Sequence, residues 1–155
     1  MPQVRFPEQL HLKNLLTDLI GKDVSFAVDV VAPSPTDVAG YLTMFVGDDD
    51  APLMLAAGDI RFAHLAGAAL ALIPKGRAED AIAAGDADPD LIENYREVMN
   101  VITRAVNDTG GAHVRLIPGS SVDVASLGEP VDASGLEADV DGYGRGHLYF
   151  WRLAA

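Results

Sequence analysis

Hydrophobic positions recur along this chain with two alternating periods, and the places where the period changes divide it into elements. Leu12, Leu15, Leu16, Leu19 and Ile20 follow the three-four spacing of one helical face, so a helix is predicted from about Glu8 to Ile20, stopped by Gly21. The period then drops to two. Val24, Phe26, Val28 and Val30 fall on one side of a strand reaching Val31, which Pro33-Ser34-Pro35 ends. Val38 to Val46 and Pro52 to Ala56 read as two more strands, joined through the polar turn Gly47-Asp48-Asp49-Asp50. Asp59 is placed to cap a helix running to about Ile73, before Pro74. The small residues Ala66, Gly67, Ala68, Ala69 and Ala71 would let that helix approach a neighbour closely. A short helix is predicted over Ala78 to Ala84, ending at Gly85.

The longest periodic run follows. Asp88 caps it, Pro89 takes the first helical position where a missing N–H costs nothing, and Gly110-Gly111 closes it. Beyond it, Val114 to Ile117 and Val122 to Ala125 read as strands. Gly128 to Gly146, rich in Gly, Asp and Ser, reads as a loop. Gly146 to Leu153, with Tyr149, Phe150 and Trp151, reads as a strand. Strands joined by tight turns, interleaved with helices, predict an α/β (α+β) fold: a mixed, largely antiparallel sheet packed with two long helices. At 155 residues, with no internal repeat and no second composition regime, one domain spanning 1–155 is expected.

The long helix has two faces of different kind. Leu91, Tyr95, Val98, Met99, Ile102 and Val106 make an apolar stripe. Glu93, Glu97, Asn100, Arg104 and Asn107 make a continuous polar one. Ordinary solvated faces interleave acids with bases. Here Glu93 stands one turn before Glu97, a mildly unfavourable like-charge pair, and the amide Asn100 follows a turn later. The plainer alternative is a solvated surface with Arg96 and Arg104 as ion-pair partners, worth about 0.3–0.5 kcal/mol per pair.

Composition narrows the partners. The formal net charge of −12, with lysine only at positions 13, 22 and 75, argues against nucleic acid and anionic membranes, both of which need a basic surface. No apolar run approaches the length of a membrane span. The first residues lack the pattern of a signal peptide and the chain has no cysteine, so a cytoplasmic location is expected, without disulfides or thiolate metal sites.

Other patterns lead nowhere chemical. Asp86-x-Asp88-x-Asp90 imitates a calcium loop, but Leu91 stands where that loop needs glycine, and Pro89 interrupts it. His11, His64, His113 and His147 have no metal-ligand spacing. Gly142-Tyr143-Gly144-Arg145-Gly146 is not followed by a helix, as a dinucleotide fingerprint would be. No metal site is expected.

Two places carry a family resemblance. One is Ala39-Gly40-Tyr41-Leu42-Thr43-Met44, followed by Pro52-Leu53-Met54-Leu55 and the helix from Phe62 to Ile73. The other is Glu97-Val98-Met99-Asn100 on the long helix, with Pro118 downstream. Together, in this order, they resemble the CheC/CheX family of chemotaxis response-regulator phosphatases, over about Leu12 to Leu153. The single Glu-x-x-Asn signature is closer to the one-site CheX kind. The resemblance implies a cytoplasmic protein, dimeric in that family, that binds a phosphorylated receiver domain and hydrolyses its aspartyl phosphate. Asn100 would orient the attacking water and Glu97 would pair with the receiver's lysine. Glu93 and Arg104, on the same stripe, would tune the charge around them. No cofactor of its own is implied, since magnesium is carried by the receiver. Met99 stands where the family commonly has glycine, and it favours the alternative: a non-catalytic CheC-like interaction module in bacterial signalling.

Overall fold

The computed structural model describes residues 3–118 and 123–154. Among these residues, six strands and four α-helices follow in order: α1 (Gln9–Ile20), β1 (Val24–Val30), β2 (Gly40–Val46), β3 (Pro52–Asp59), α2 (Ile60–Leu70), α3 (Lys75–Ala84), α4 (Pro89–Asn107), β4 (Arg115–Pro118), β5 (Asp132–Val140) and β6 (Gly144–Arg152). The strands form one sheet in the order β1-β5-β6-β3-β2-β4, and every neighbouring pair is antiparallel.

Each face of the sheet has its own core, because side chains alternate across a strand. On one face, Phe45, Met54, Ala56, Leu136, Leu148 and Phe150 pack under α1, α2 and α4. On the other, Met44, Leu55, Ala57 and Trp151 are covered by Ala32, Val38, Val124 and Leu127 from irregular segments. The Trp151 indole N–H donates to the Pro33 carbonyl at 2.9 Å, which satisfies a polar atom that burial would otherwise strand.

Two expectations are corrected. Gly128 to Gly146 is not a loop: Asp132–Val140 is β5, an interior strand between β1 and β6. Its glycine, serine and acids hide a clean alternation in which Leu136, Ala138 and Val140 are buried. Gly135 is required there, because a Cβ would collide with the Val30 carbonyl of β1. The strand expected over Val122 to Ala125 is also absent as drawn. Val124–Leu127 is a short 3-10 turn, and Val122 lies outside the described residues. Smaller differences are that α3 begins at Lys75 and β3 runs on to Asp59.

Candidate functional site

The site is built on α4, and its sequence explains why that helix forms and where it points. At its start the Asp88 carboxylate accepts from the Asp90 N–H at 3.1 Å, with Pro89 in the first turn. Arg77 of α3 grips the same carboxylate with two bonds of 2.7 and 2.9 Å and reaches Asp90 at 2.8 Å. This guanidinium holds the Asp88 carboxyl below the usual carboxylate range. His64 of α2, fully buried, adds a third tie. Its Nε2 accepts the Asp88 backbone N–H at 3.1 Å and its Nδ1 lies 2.8 Å from the Ile60 carbonyl. Those partners require a neutral ring with the proton on Nδ1.

The middle of α4 lies tightly on α2. A Cβ at Gly67 would strike the Leu91 carbonyl oxygen, so only glycine allows this approach. Asn94 Nδ2 donates to the Gly67 carbonyl at 3.1 Å across the same contact. Tyr95 inserts beneath, edge-on to Phe62 with ring centroids 6.1 Å apart. Its hydroxyl faces the Gly58 backbone of β3 and makes no well-formed hydrogen bond with a described residue. Burial pushes its ionisation up. At the far end Asn107 accepts from the Val114 N–H at 2.8 Å and donates to the Val114 carbonyl at 3.0 Å. Asn107 is therefore a structural clamp and leaves the predicted polar stripe.

The rest of that stripe faces outward. Glu93, Glu97, Asn100 and Arg104 are all exposed, whereas Leu91, Tyr95, Val98, Met99, Ile102 and Val106 are buried. Glu93 pairs with Arg96 at 3.5 Å and Arg104 with Asp108 at 3.7 Å. Neither Glu97 nor Asn100 makes an ion pair or side-chain hydrogen bond with a described residue. Met99 is only 3% exposed, so most of its bulk goes into the core.

A feature with no signal in the sequence lies beside this face. Between α4 and the β2–β4 side of the sheet runs an open groove of about 660 Å³. Tyr41, Thr43 and Leu116 line it from the sheet, and Ile92, Tyr95 and Met99 from the helix. Glu93, Arg96, Glu97 and Asn100 also border it, whereas Arg104 lies beyond its end. The groove joins residues some fifty positions apart, so no local pattern could announce it. Among the described residues, no group of three or more His, Asp or Glu side chains is placed to hold a metal ion, and no helix is long and apolar enough to cross a membrane.

No family model and no curated protein matches this chain. Solved structures do. Thermotoga maritima FliY is similar at a TM-score of 0.63, with 12% identity over 96% of this chain and 85% of that one. The FliM middle domain from Vibro alginolyticus is similar at 0.61, with 11% identity over 94% and 88%. The fold is that of the FliM middle domain and of FliY, and it is the α+β architecture with a largely antiparallel sheet that the order of elements predicted. A CheX–CheY complex with BeF3 and magnesium from Borrelia burgdorferi also aligns, 9% identical over 97% of this chain and 100% of that one. Its TM-score is 0.46.

Proposed function

We propose that this chain binds the phosphorylated receiver domain of a response regulator and hydrolyses its aspartyl phosphate. The observation that carries the reading is the state of Glu97 and Asn100. Both are exposed, one turn apart on one face of a helix anchored at both ends, and neither is committed to a partner among the described residues. A merely solvated face would be expected to use its charges locally, as Glu93 and Arg104 do.

The chemistry fits a neutral amide and an acid at that spacing. A carboxamide can accept from a water and donate at once, so Asn100 can hold a water in line without repelling phosphate. The water oxygen attacks phosphorus, the P–O bond to the receiver's aspartate breaks, and free carboxylate and inorganic phosphate result. Positioning and charge compensation supply most of such a rate enhancement. Glu97 pairs with the receiver's lysine and so sets the depth and angle of entry. The metal that neutralises the phosphoryl oxygens belongs to the receiver, and this chain supplies none. Glu93 and Arg104 adjust the charge on either side. Met99, the residue that departs from the family pattern, packs mostly into the core and reaches the working face only where it lines the groove.

The test is the decay of phosphorylated receiver domains from the same organism, with wild type and Asn100→Ala in parallel. Acceleration by wild type and not by the variant, both folded, is the expected result. No acceleration against any receiver refutes hydrolysis.

A second reading, a non-catalytic interaction module, is favoured by what FliM, its fold neighbour, is seen to bind. FliM from H. pylori has been solved in complex with FliG and with SpeE, at TM-scores of 0.58 and 0.64 to this chain. Receiver binding without turnover, unaffected by Asn100→Ala, would establish it.

A further inference from the structure

We infer that the groove between α4 and the β2–β4 side of the sheet is where the receiver anchors, through an apolar side chain flanked by lysine or arginine. The inference rests on the proposed receiver binding and adds the chemistry of the surface that is recognised.

The floor and the rim of the groove differ in character. Tyr41, Leu116, Ile92 and Tyr95 give an apolar floor, with the Tyr41 and Tyr95 ring centroids 6.2 Å apart. Its volume of about 660 Å³ falls in the range of about 300–1,000 Å³ typical of sites that bury a ligand. The rim carries two acids, Glu93 and Glu97, against one base. That base, Arg96, is already turned toward Glu93 at 3.5 Å. Glu97 is left as the uncompensated charge, on a chain whose net charge is −12. An acidic or plainly polar segment would be repelled here, and a purely apolar one would leave the rim charge unused. A basic-apolar segment satisfies both, with complementary charge favouring fast and selective encounter.

The position of the groove matters as much as its chemistry. Glu97 and Asn100 stand on its border, so a partner seated in it is held beside the reacting group. Turnover and anchoring therefore separate by residue. Asn100 acts on the phosphoryl group, while Leu116 and Glu93 hold the partner.

Leu116→Lys puts a positive charge on the floor, and Glu93→Arg reverses one on the exposed rim. Each is assayed for receiver dephosphorylation and, by fluorescence anisotropy, for binding of a labelled, beryllofluoride-charged receiver. The expected result is a rise in KM and Kd of about tenfold or more, the scale of losing a central anchor, with kcat retained in Leu116→Lys. Glu93→Arg is read by Kd alone, because residue 93 also sets the charge around Glu97 one turn away. Glu93→Arg lies on the surface and decides the matter if Leu116→Lys does not fold. Unchanged Kd in both variants, while Asn100→Ala still abolishes turnover, overturns the groove and leaves the phosphatase standing. Binding without turnover, weakened by both variants, upholds the groove and removes the phosphatase. Absence of any receiver binding by wild type overturns both.

Discussion

Tyr95→Phe should make this protein more stable, which is unusual for a change in the core. The ring lies beneath the site helix, edge-on to Phe62 and beside Tyr41. Phenylalanine keeps that packing and removes only a hydroxyl that faces the Gly58 backbone without a well-formed hydrogen bond. A buried polar group without a partner costs about 1–3 kcal/mol. Allowing for partial recovery, the gain should be about 1 kcal/mol, or about 2–4 °C in thermal midpoint at this size.

A pH signature accompanies it. Burial pushes the Tyr95 ionisation above its ordinary value. An exposed phenol in the unfolded chain ionises near about pH 10. Below that pH both states hold the proton and the contribution to stability is complete. Above it the unfolded chain releases the proton first. Stability then declines by up to about 1.4 kcal/mol per pH unit until the folded phenol ionises too. Tyr41 and Tyr149 are also shifted upward by burial and remain in the variant, so alkaline loss should be reduced in Tyr95→Phe and not abolished. Urea unfolding at neutral pH and at pH 10–11, with the slope m compared between variants, measures both effects. A loss of 1 kcal/mol or more at neutral pH with unchanged m would refute the reasoning, because it would mean that the hydroxyl is hydrogen-bonded.

Two further predictions concern how α4 is held. Gly67→Ala forces α2 and α4 apart at the Leu91 carbonyl. It should cost about 1–3 kcal/mol or more in urea unfolding and should slow receiver dephosphorylation by moving the site helix. Asn107→Ala leaves both backbone groups of Val114 without their partner. It should cost at least about 2 kcal/mol, whereas Asn100→Ala should stay within about 0.5 kcal/mol of wild type. Equal losses in the two asparagine variants would undo the division of the stripe into clamp and working face.

Much of this architecture was legible in the chain because local signals agreed with the final environment. The Asp88 cap, the Pro89 start and the apolar stripe specify α4 without help from elsewhere. The hairpin β2–β3 is announced by its turn, where Asp50 takes a positive φ of 64°. The interior strand β5 was not legible. Its sequence, Asp132-Ala133-Ser134-Gly135-Leu136-Glu137-Ala138-Asp139-Val140, has the composition of a loop, and it is a strand because β1 and β6 flank it. Strand preference depends on such neighbours more than helix preference does. The candidate site divides in the same way. Glu93, Glu97, Asn100 and Arg104 were found as one stripe from spacing alone. The separation of Asn107 from them depends on Val114, and the groove on β2 and β4, which are contacts made only by the folded chain.

The central claim is that the Glu97–Asn100 face of α4 enters the receiver's phosphorylation site. The most direct measurement is a structure of this protein with a beryllofluoride-charged receiver of the same organism. The account predicts the Asn100 carboxamide within hydrogen-bond reach of a water in line with the phosphoryl analogue, and Glu97 paired with the receiver's lysine. A complex in which that face of α4 remains in solvent while the receiver docks elsewhere would contradict it.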